Sequence, residues 1–176
     1  MKKIFVVCSF SILLFASAAF ILAGCASGQA NAQTPQNAPG VQGNTFRATP
    51  VTPVINNDNV SVAVNDVSTS RNVEFNVKFD QGTASFMAYT YNNSTYVRAS
   101  ICVPCRGRSY TLKGSNLVCD TCGTVFSAQT GKGISGVTAC KSYPKASVAY
   151  TMADGNIVMT KADLLQAFET TLQGIN

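Results

Sequence analysis

Apolar and polar residues alternate most cleanly along Val73-Glu74-Phe75-Asn76-Val77-Lys78-Phe79, where Val73, Phe75, Val77 and Phe79 fall on one side and the polar residues on the other. This period of two is the signature of a strand with one buried face. Val60 to Val64 alternates in the same sense, and Ala84 to Tyr91 and Tyr96 to Ile101 are β-rich runs joined by Asn92-Asn93-Ser94, which predicts a hairpin. Ser109 to Leu112 and Leu117-Val118, separated by Lys113-Gly114-Ser115-Asn116, predict a second hairpin. Ala146 to Tyr150 and Asn156 to Met159, separated by Asp154-Gly155, predict a third. The pattern lengthens only at the C-terminus, where Leu164, Leu165, Phe168 and Leu172 follow helical spacing behind Thr160 and Asp163, a capping-box pair. The expected fold is mainly β, with one C-terminal helix packed on the sheet.

Two stretches depart from this pattern. Met1-Lys2-Lys3 is a short basic start, and Ile4 to Leu22 is almost wholly apolar before Leu22-Ala23-Gly24-Cys25. Small residues ahead of a cysteine after an apolar run resemble the lipobox of bacterial lipoproteins. On that resemblance residues 1–24 are a signal peptide, and Cys25 is the lipidated first residue of the mature chain, carrying acyl groups such as palmitate. An uncleaved membrane anchor is the alternative, since nineteen residues just span a bilayer of about 30 Å. Both place the remainder outside the cytoplasm, held at the cell membrane and facing the periplasm or the cell exterior. From Ala26 to about Pro53, Gln, Asn, Ala, Pro, Gly and Thr dominate, with Arg47 as the one charge. Such a segment buries too little apolar surface to offset its ordering entropy. It reads as a tether with a span on the order of 30 Å, followed by one domain over residues 54–176.

The chemistry lies in the cysteines. Cys102-Val103-Pro104-Cys105, thirteen residues, then Cys119-Asp120-Thr121-Cys122 is a double C-x-x-C in a chain without histidine. Each pair clamps a metal from one tight turn, and the hairpin over residues 109–118 folds the two turns face to face. The absence of histidine excludes Ser-His-Asp and Cys-His catalysis and histidine-ligated zinc or haem. Met87, Met152 and Met159 are too sparse for a methionine copper site. Spacing alone leaves structural zinc and an iron-sulfur centre as alternatives. A third is thiol-disulfide exchange at Cys102-Val103-Pro104-Cys105, although no helix or βαβ pattern surrounds it.

Charge is uneven. Without Lys2 and Lys3 the 13 basic residues become 11 against 8 acidic ones, a net +3. Seven of them (Arg98, Arg106, Arg108, Lys113, Lys132, Lys141, Lys145) lie between residues 98 and 145 against one acid, Asp120. They either offset an anionic four-thiolate centre or form a solvated face. No aromatic-basic interleaving supports nucleic-acid binding.

Leu117-Val118-Cys119-Asp120-Thr121-Cys122-Gly123-Thr124-Val125-Phe126, then Thr130-Gly131, Cys140 to Pro144 and Asp154-Gly155, resemble the second half of a Rieske domain, with cysteine where histidine would stand. Over residues 50–174 the paired motifs and Cys140 are similar to the FtrD-like family of exported, membrane-associated iron-sulfur proteins. The resemblance implies a Rieske-like antiparallel β domain. It implies a 2Fe-2S cluster, with Cys102 and Cys105 on one iron and Cys119 and Cys122 on the other. It also implies a tethered one-electron carrier, more a metal-binding protein than an enzyme, serving a membrane redox or iron-transport partner. Gly107 and Gly123 would let backbone amides point at sulfur. Cys140 would be a near-site thiol, since that loop covers the cluster in Rieske domains.

Overall fold

The computed structural model describes residues 44–174, so the expected signal peptide, Cys25 and most of the expected tether lie outside the described residues. The strands are β1 (Thr45–Phe46), β2 (Thr49–Pro50), β3 (Val54–Asn56), β4 (Asn59–Ala63), β5 (Asn72–Phe79), β6 (Gly82–Tyr91), β7 (Ser94–Ala99), β8 (Tyr110–Lys113), β9 (Asn116–Cys119), β10 (Val125–Ser127), β11 (Gly133–Ser135), β12 (Thr151–Ala153) and β13 (Asn156–Thr160). The helices are α1 (Val64–Ser70), α2 (Thr138–Lys141) and α3 (Lys161–Gln173). They build three sheets, ordered β2-β5-β6-β7, β12-β13-β4-β3 and β1-β8-β9-β10-β11. Every pairing is antiparallel except the short one of β2 with β5.

The alternating run became β5, with Val73, Phe75 and Val77 buried. Its partner β6 is buried on both faces along Ala84–Tyr89. Ala84, Phe86 and Ala88 enter a core with Val60, Val62, Ile157, Met159 and Leu164, while Met87 and Tyr89 enter a second core with Tyr110, Leu117, Phe126 and the buried cysteines Cys102, Cys119 and Cys140. That explains why residues 84–91 read as nearly continuous apolar sequence. Tight turns set the registers. Asn92 and Asn93, both with positive φ (47° and 57°), close β6 on β7, and Asp154-Gly155 (49° and 74°) closes β12 on β13, the two-residue turn that suits strand twist.

Four expectations change. Thr45–Phe46 and Thr49–Pro50, assigned by composition to the tether, are strands: β1 pairs with β8 and β2 with β5. Phe46 and Val51 pack on the two cores and supply the anchorage that composition hid. Val64 leaves its strand to start α1, a helix with one buried residue, Val67, closed by Arg71 in the left-handed region (φ 64°). The last hairpin begins at Thr151 rather than Ala146. Residues 146–148 instead run beside β7, where Ala99 N donates to Ala146 O and Val148 N to Val97 O. Finally, α3 buries Leu164, Ala167 and Thr171 and half-buries Phe168, while Leu172 is exposed.

The Thr160 cap formed as expected: its Oγ1 accepts from Asp163 N at 3.0 Å. Thr160→Ala should cost about 1 kcal/mol, read as a lower denaturant midpoint at unchanged slope; unchanged stability would show the cap idle.

Candidate metal centre

β7 ends at Ala99, and Ser100 and Ile101 carry the chain into the first knuckle. Cys102 N donates to Gly107 O at 2.7 Å, closing a loop in which Arg106 takes a positive φ of 59° and Gly107 N points at Cys105 Sγ at 3.4 Å. The second knuckle follows β9. Cys119 N donates to Thr124 O at 2.9 Å and Gly123 N to Cys119 O at 2.8 Å, with Gly123 at φ 70°. Gly107 thus aims its amide at sulfur as expected, whereas the Gly123 amide takes a carbonyl. Gly107 is also required for space: a Cβ there would lie 2.7 Å from Cys119 Sγ and 2.8 Å from Thr121 Oγ1. The hairpin of β8 and β9, turning through Gly114-Ser115, brings the two knuckles together in this way.

The sulfurs of Cys102, Cys105, Cys119 and Cys122 all lie within 4.8 Å of one another. Two short contacts cross between the knuckles, Cys102 to Cys122 at 4.0 Å and Cys105 to Cys119 at 3.8 Å. Cys102 and Cys119 are buried, and Cys105 and Cys122 are half-buried at the surface. Cys140, carried by α2, is buried with its sulfur 3.8 Å from Cys122 Sγ, so the expected near-site thiol is near. All five are free thiols.

The thiols differ in acidity. Burial and the neighbouring thiols of Cys105 and Cys140 push Cys102 far up. Burial raises Cys119 to about 11 against backbone hydrogen bonds from Cys122 and Thr121. At Cys122 burial also opposes ionisation, but hydrogen bonds with Thr124 and the adjacent thiols outweigh it and hold the group at about 6. The Thr124 hydroxyl, buried and 3.2 Å from Cys122 Sγ, is the side chain that sequence reading passed over; its only signal is its place two residues after the motif.

Of the seven basic residues, Arg106, Arg108, Lys113 and Lys132 are exposed and Lys141 half-exposed, so most of that run is a solvated face. Two are buried. Arg98 donates to Tyr89 Oη, Lys145 O, Ser147 Oγ and Gln129 O at 2.7–2.8 Å, tying β7 to the segments on either side of α2. Lys145 is completely buried, donates from Nζ to the carbonyl of Ile101, beside Cys102, and lies 4.6 Å from the Phe126 ring centroid and 5.7 Å from that of Tyr110. Burial lowers its pKa to about 8, against the opposing pull of thiolate charge on Cys102, Cys119, Cys105 and Cys140. Asp120 is exposed and accepts from Thr111 Oγ1 at 2.6 Å, a surface residue of the second knuckle.

Such a setting suits a bound metal centre. A buried ammonium is costly without an anion nearby, and four thiolates on a divalent ion supply a formal −2. The hydroxyl of Tyr110 is a second sign: it is buried with no hydrogen-bond partner, while burial and then Cys119, Cys102 and Cys105 keep it protonated. A donor held unpaired beside thiols fits an acceptor of the sulfur type. Tyr110→Phe should stabilise the metal-free protein by about 1 kcal/mol by deleting an unsatisfied group; a lowered melting temperature in that form would contradict this account.

Fold and site together define a mainly antiparallel β domain with a four-cysteine metal-binding group between two C-x-x-C loops. Residues 67–170 match the family model described as "Membrane iron-sulfur containing protein FtrD-like". The chain belongs to this FtrD-like family, and is a metal-binding iron-sulfur protein of that kind. Among curated proteins none matches the chain. A solved structure titled "Complex of reduced oxygenase and oxidized ferredoxin in carbazole 1,9a-dioxygenase" is similar at 19% identity over 60% of this chain and 95% of that chain, with a TM-score of 0.47. No helix among the described residues is long and apolar enough to cross a membrane.

Proposed function

We propose that the protein is a one-electron carrier outside the cytoplasm, tethered to the membrane by lipidated Cys25 and holding a 2Fe-2S centre on Cys102, Cys105, Cys119 and Cys122. Its partner is a membrane redox or iron-transport protein. The observation that supports this most is the convergence of four thiols within 4.8 Å, two of them at the surface, over a fully buried Lys145. When bound, such a centre accepts and returns single electrons, at lower potential than one with histidine ligands. The chain's part is to hold four sulfurs, to place Lys145 as a fixed positive charge against the reduced state, and to offer the Gly107 amide and Tyr110 hydroxyl as donors to sulfur. The short contacts cross between knuckles, which favours one thiolate from each knuckle on each iron over the pairing within a motif.

A second reading draws on the spacing. With metal–sulfur bonds near 2.3 Å, a tetrahedral ion sets its sulfurs about 3.8 Å apart, close to the 4.0 and 3.8 Å contacts, whereas a two-iron centre would need a wider spread of the four sulfurs. One zinc or one iron is accommodated with less movement of the knuckles. Anaerobic reconstitution of the full chain with iron and sulfide separates the two. Two irons, two acid-labile sulfides, visible absorption and an EPR signal on reduction support the carrier; one zinc per chain as purified, by mass spectrometry, with no iron or labile sulfide taken up supports structural zinc.

A further inference from the structure

Cys122 has two sets of neighbours. It belongs to the four-sulfur group, and its sulfur also lies 3.8 Å from that of Cys140, which stands outside that group. The contact is built into the fold. Thr124 Oγ1 takes the Cys122 thiol at 3.2 Å and the Val137 amide, one residue before α2, also at 3.2 Å. Gly136, at φ 101°, lies so close that a Cβ would sit 2.7 Å from Thr124 Cα, and a Cβ on Gly133 would sit 2.6 Å from Lys141 O. The segment that leads into α2, and so sets the position of Cys140, is therefore pressed onto the second knuckle at Gly136 and folded against α2 at Gly133.

We propose that Cys122 and Cys140 are a thiol pair that a small disulfide oxidises, breaking the metal group at one ligand. The reading rests on Cys122 being a ligand, as in the function proposed above. With four sulfurs on a metal, Cys140 is the one described thiol left free; of the two ligands that neighbour it, Cys102 is buried, and Cys122, 3.8 Å away, is the one that opens to the surface. Cys122 is half-exposed, within reach of a small disulfide, while Cys140 is buried and shielded from one. In the first step the Cys122 thiolate, which would be given up by a bound metal, attacks the disulfide, forming a mixed disulfide and expelling one thiolate, which takes a proton from water. In the second, Cys140 loses its proton and attacks the Cys122 sulfur, expelling the second thiolate. Two cysteine thiols are oxidised to one disulfide, one external disulfide is reduced to two thiols, and the metal is left with three protein ligands. The sulfurs close from 3.8 Å to about 2.05 Å. Oxidation at Cys105 is less productive, because its close neighbour Cys119 is itself in the group, so a bridge there removes two ligands at once.

The test uses the full-length, metal-loaded protein, its metal content measured first, and oxidised glutathione as the probe. Peptide mapping should find a Cys122–Cys140 disulfide appearing together with released metal, and a thiol reductant plus metal should restore the starting state. Cys140→Ser should retain the metal and release it to the same oxidant about tenfold more slowly. A bridge among Cys102, Cys105, Cys119 and Cys122, or release from Cys140→Ser at the wild-type rate, overturns the inference. So does loss of metal from both Cys140→Ser and Cys140→Ala while each keeps its circular dichroism, since Cys140 would then be a ligand. Absence of metal at the outset defeats the proposed function instead; mapping of the oxidised chain then decides the thiol pair by itself.

Discussion

Cys119→Ser should empty the metal site. Its sulfur is buried against Gly107 and 3.8 Å from Cys105, at the point where the two knuckles meet. A serine hydroxyl does not ionise near neutral pH and does not replace a thiolate ligand. A structural four-thiolate site is worth about 10–16 kcal/mol, so one ligand carries roughly 3 kcal/mol or more, a loss of at least about a hundredfold in affinity. Metal per chain after dialysis should fall to near zero, and the variant should melt with the metal-free wild type. Full occupancy in Cys119→Ser would remove this residue from the ligand set.

Lys145→Met should change sign with metal loading. In the metal-free protein the ammonium is buried with one backbone carbonyl and two aromatic rings for company, and a methionine of similar volume relieves about 1–3 kcal/mol of desolvation. In the loaded protein the same change deletes the buried positive charge beside an anionic centre, and metal affinity should drop by about tenfold or more. The pH dependence follows from the lowered pKa of about 8 against the ordinary 10.5. Between those values the unfolded metal-free chain holds a proton at Lys145 that the folded one has released, so the Lys145 contribution to stability rises with pH across that window, against the fall that the raised Cys102 and Cys119 thiols contribute there. Lys145→Met should lose this rise. Melting temperatures of both forms at pH 7 to 10 test all of it, and destabilisation of similar size in both forms would make Lys145 a packing residue only.

The half of the fold carried by short-range pattern was legible in the chain. Val73 to Phe79 shows its buried face by alternation, Asn92-Asn93 and Asp154-Gly155 announce turns that need positive φ, and the double C-x-x-C names its four sulfurs. What escaped depends on distant partners. Phe46 and Val51 sit in a polar, proline-containing stretch and become ordered only because β8 and β5 offer free edges. Residues 146–150 look like a strand, yet β7 takes 146–148 first through isolated contacts. Lysine is among the residues least often buried, so nothing local marks Lys145 as the one member of a basic run that goes inside; Arg98, gripping its carbonyl from across the sheet, puts it there. The proximity of Cys140 came from resemblance, and its specific neighbour, Cys122, from the loop pressed on Thr124.

Strand β6 turns Phe86 towards the helix-covered core and Met87 and Tyr89 towards the core beneath the cysteines. Neither core can come apart without pulling on the same backbone, and its ladders to β5 and β7 run the length of the strand. The domain therefore melts as one cooperative unit, and free energy gained by an ion at the knuckles is shared with α3 at the far side of the sheet. Amide exchange in β4 and α3 becomes a gauge of metal occupancy, although their buried residues belong to the core that holds none of the cysteines.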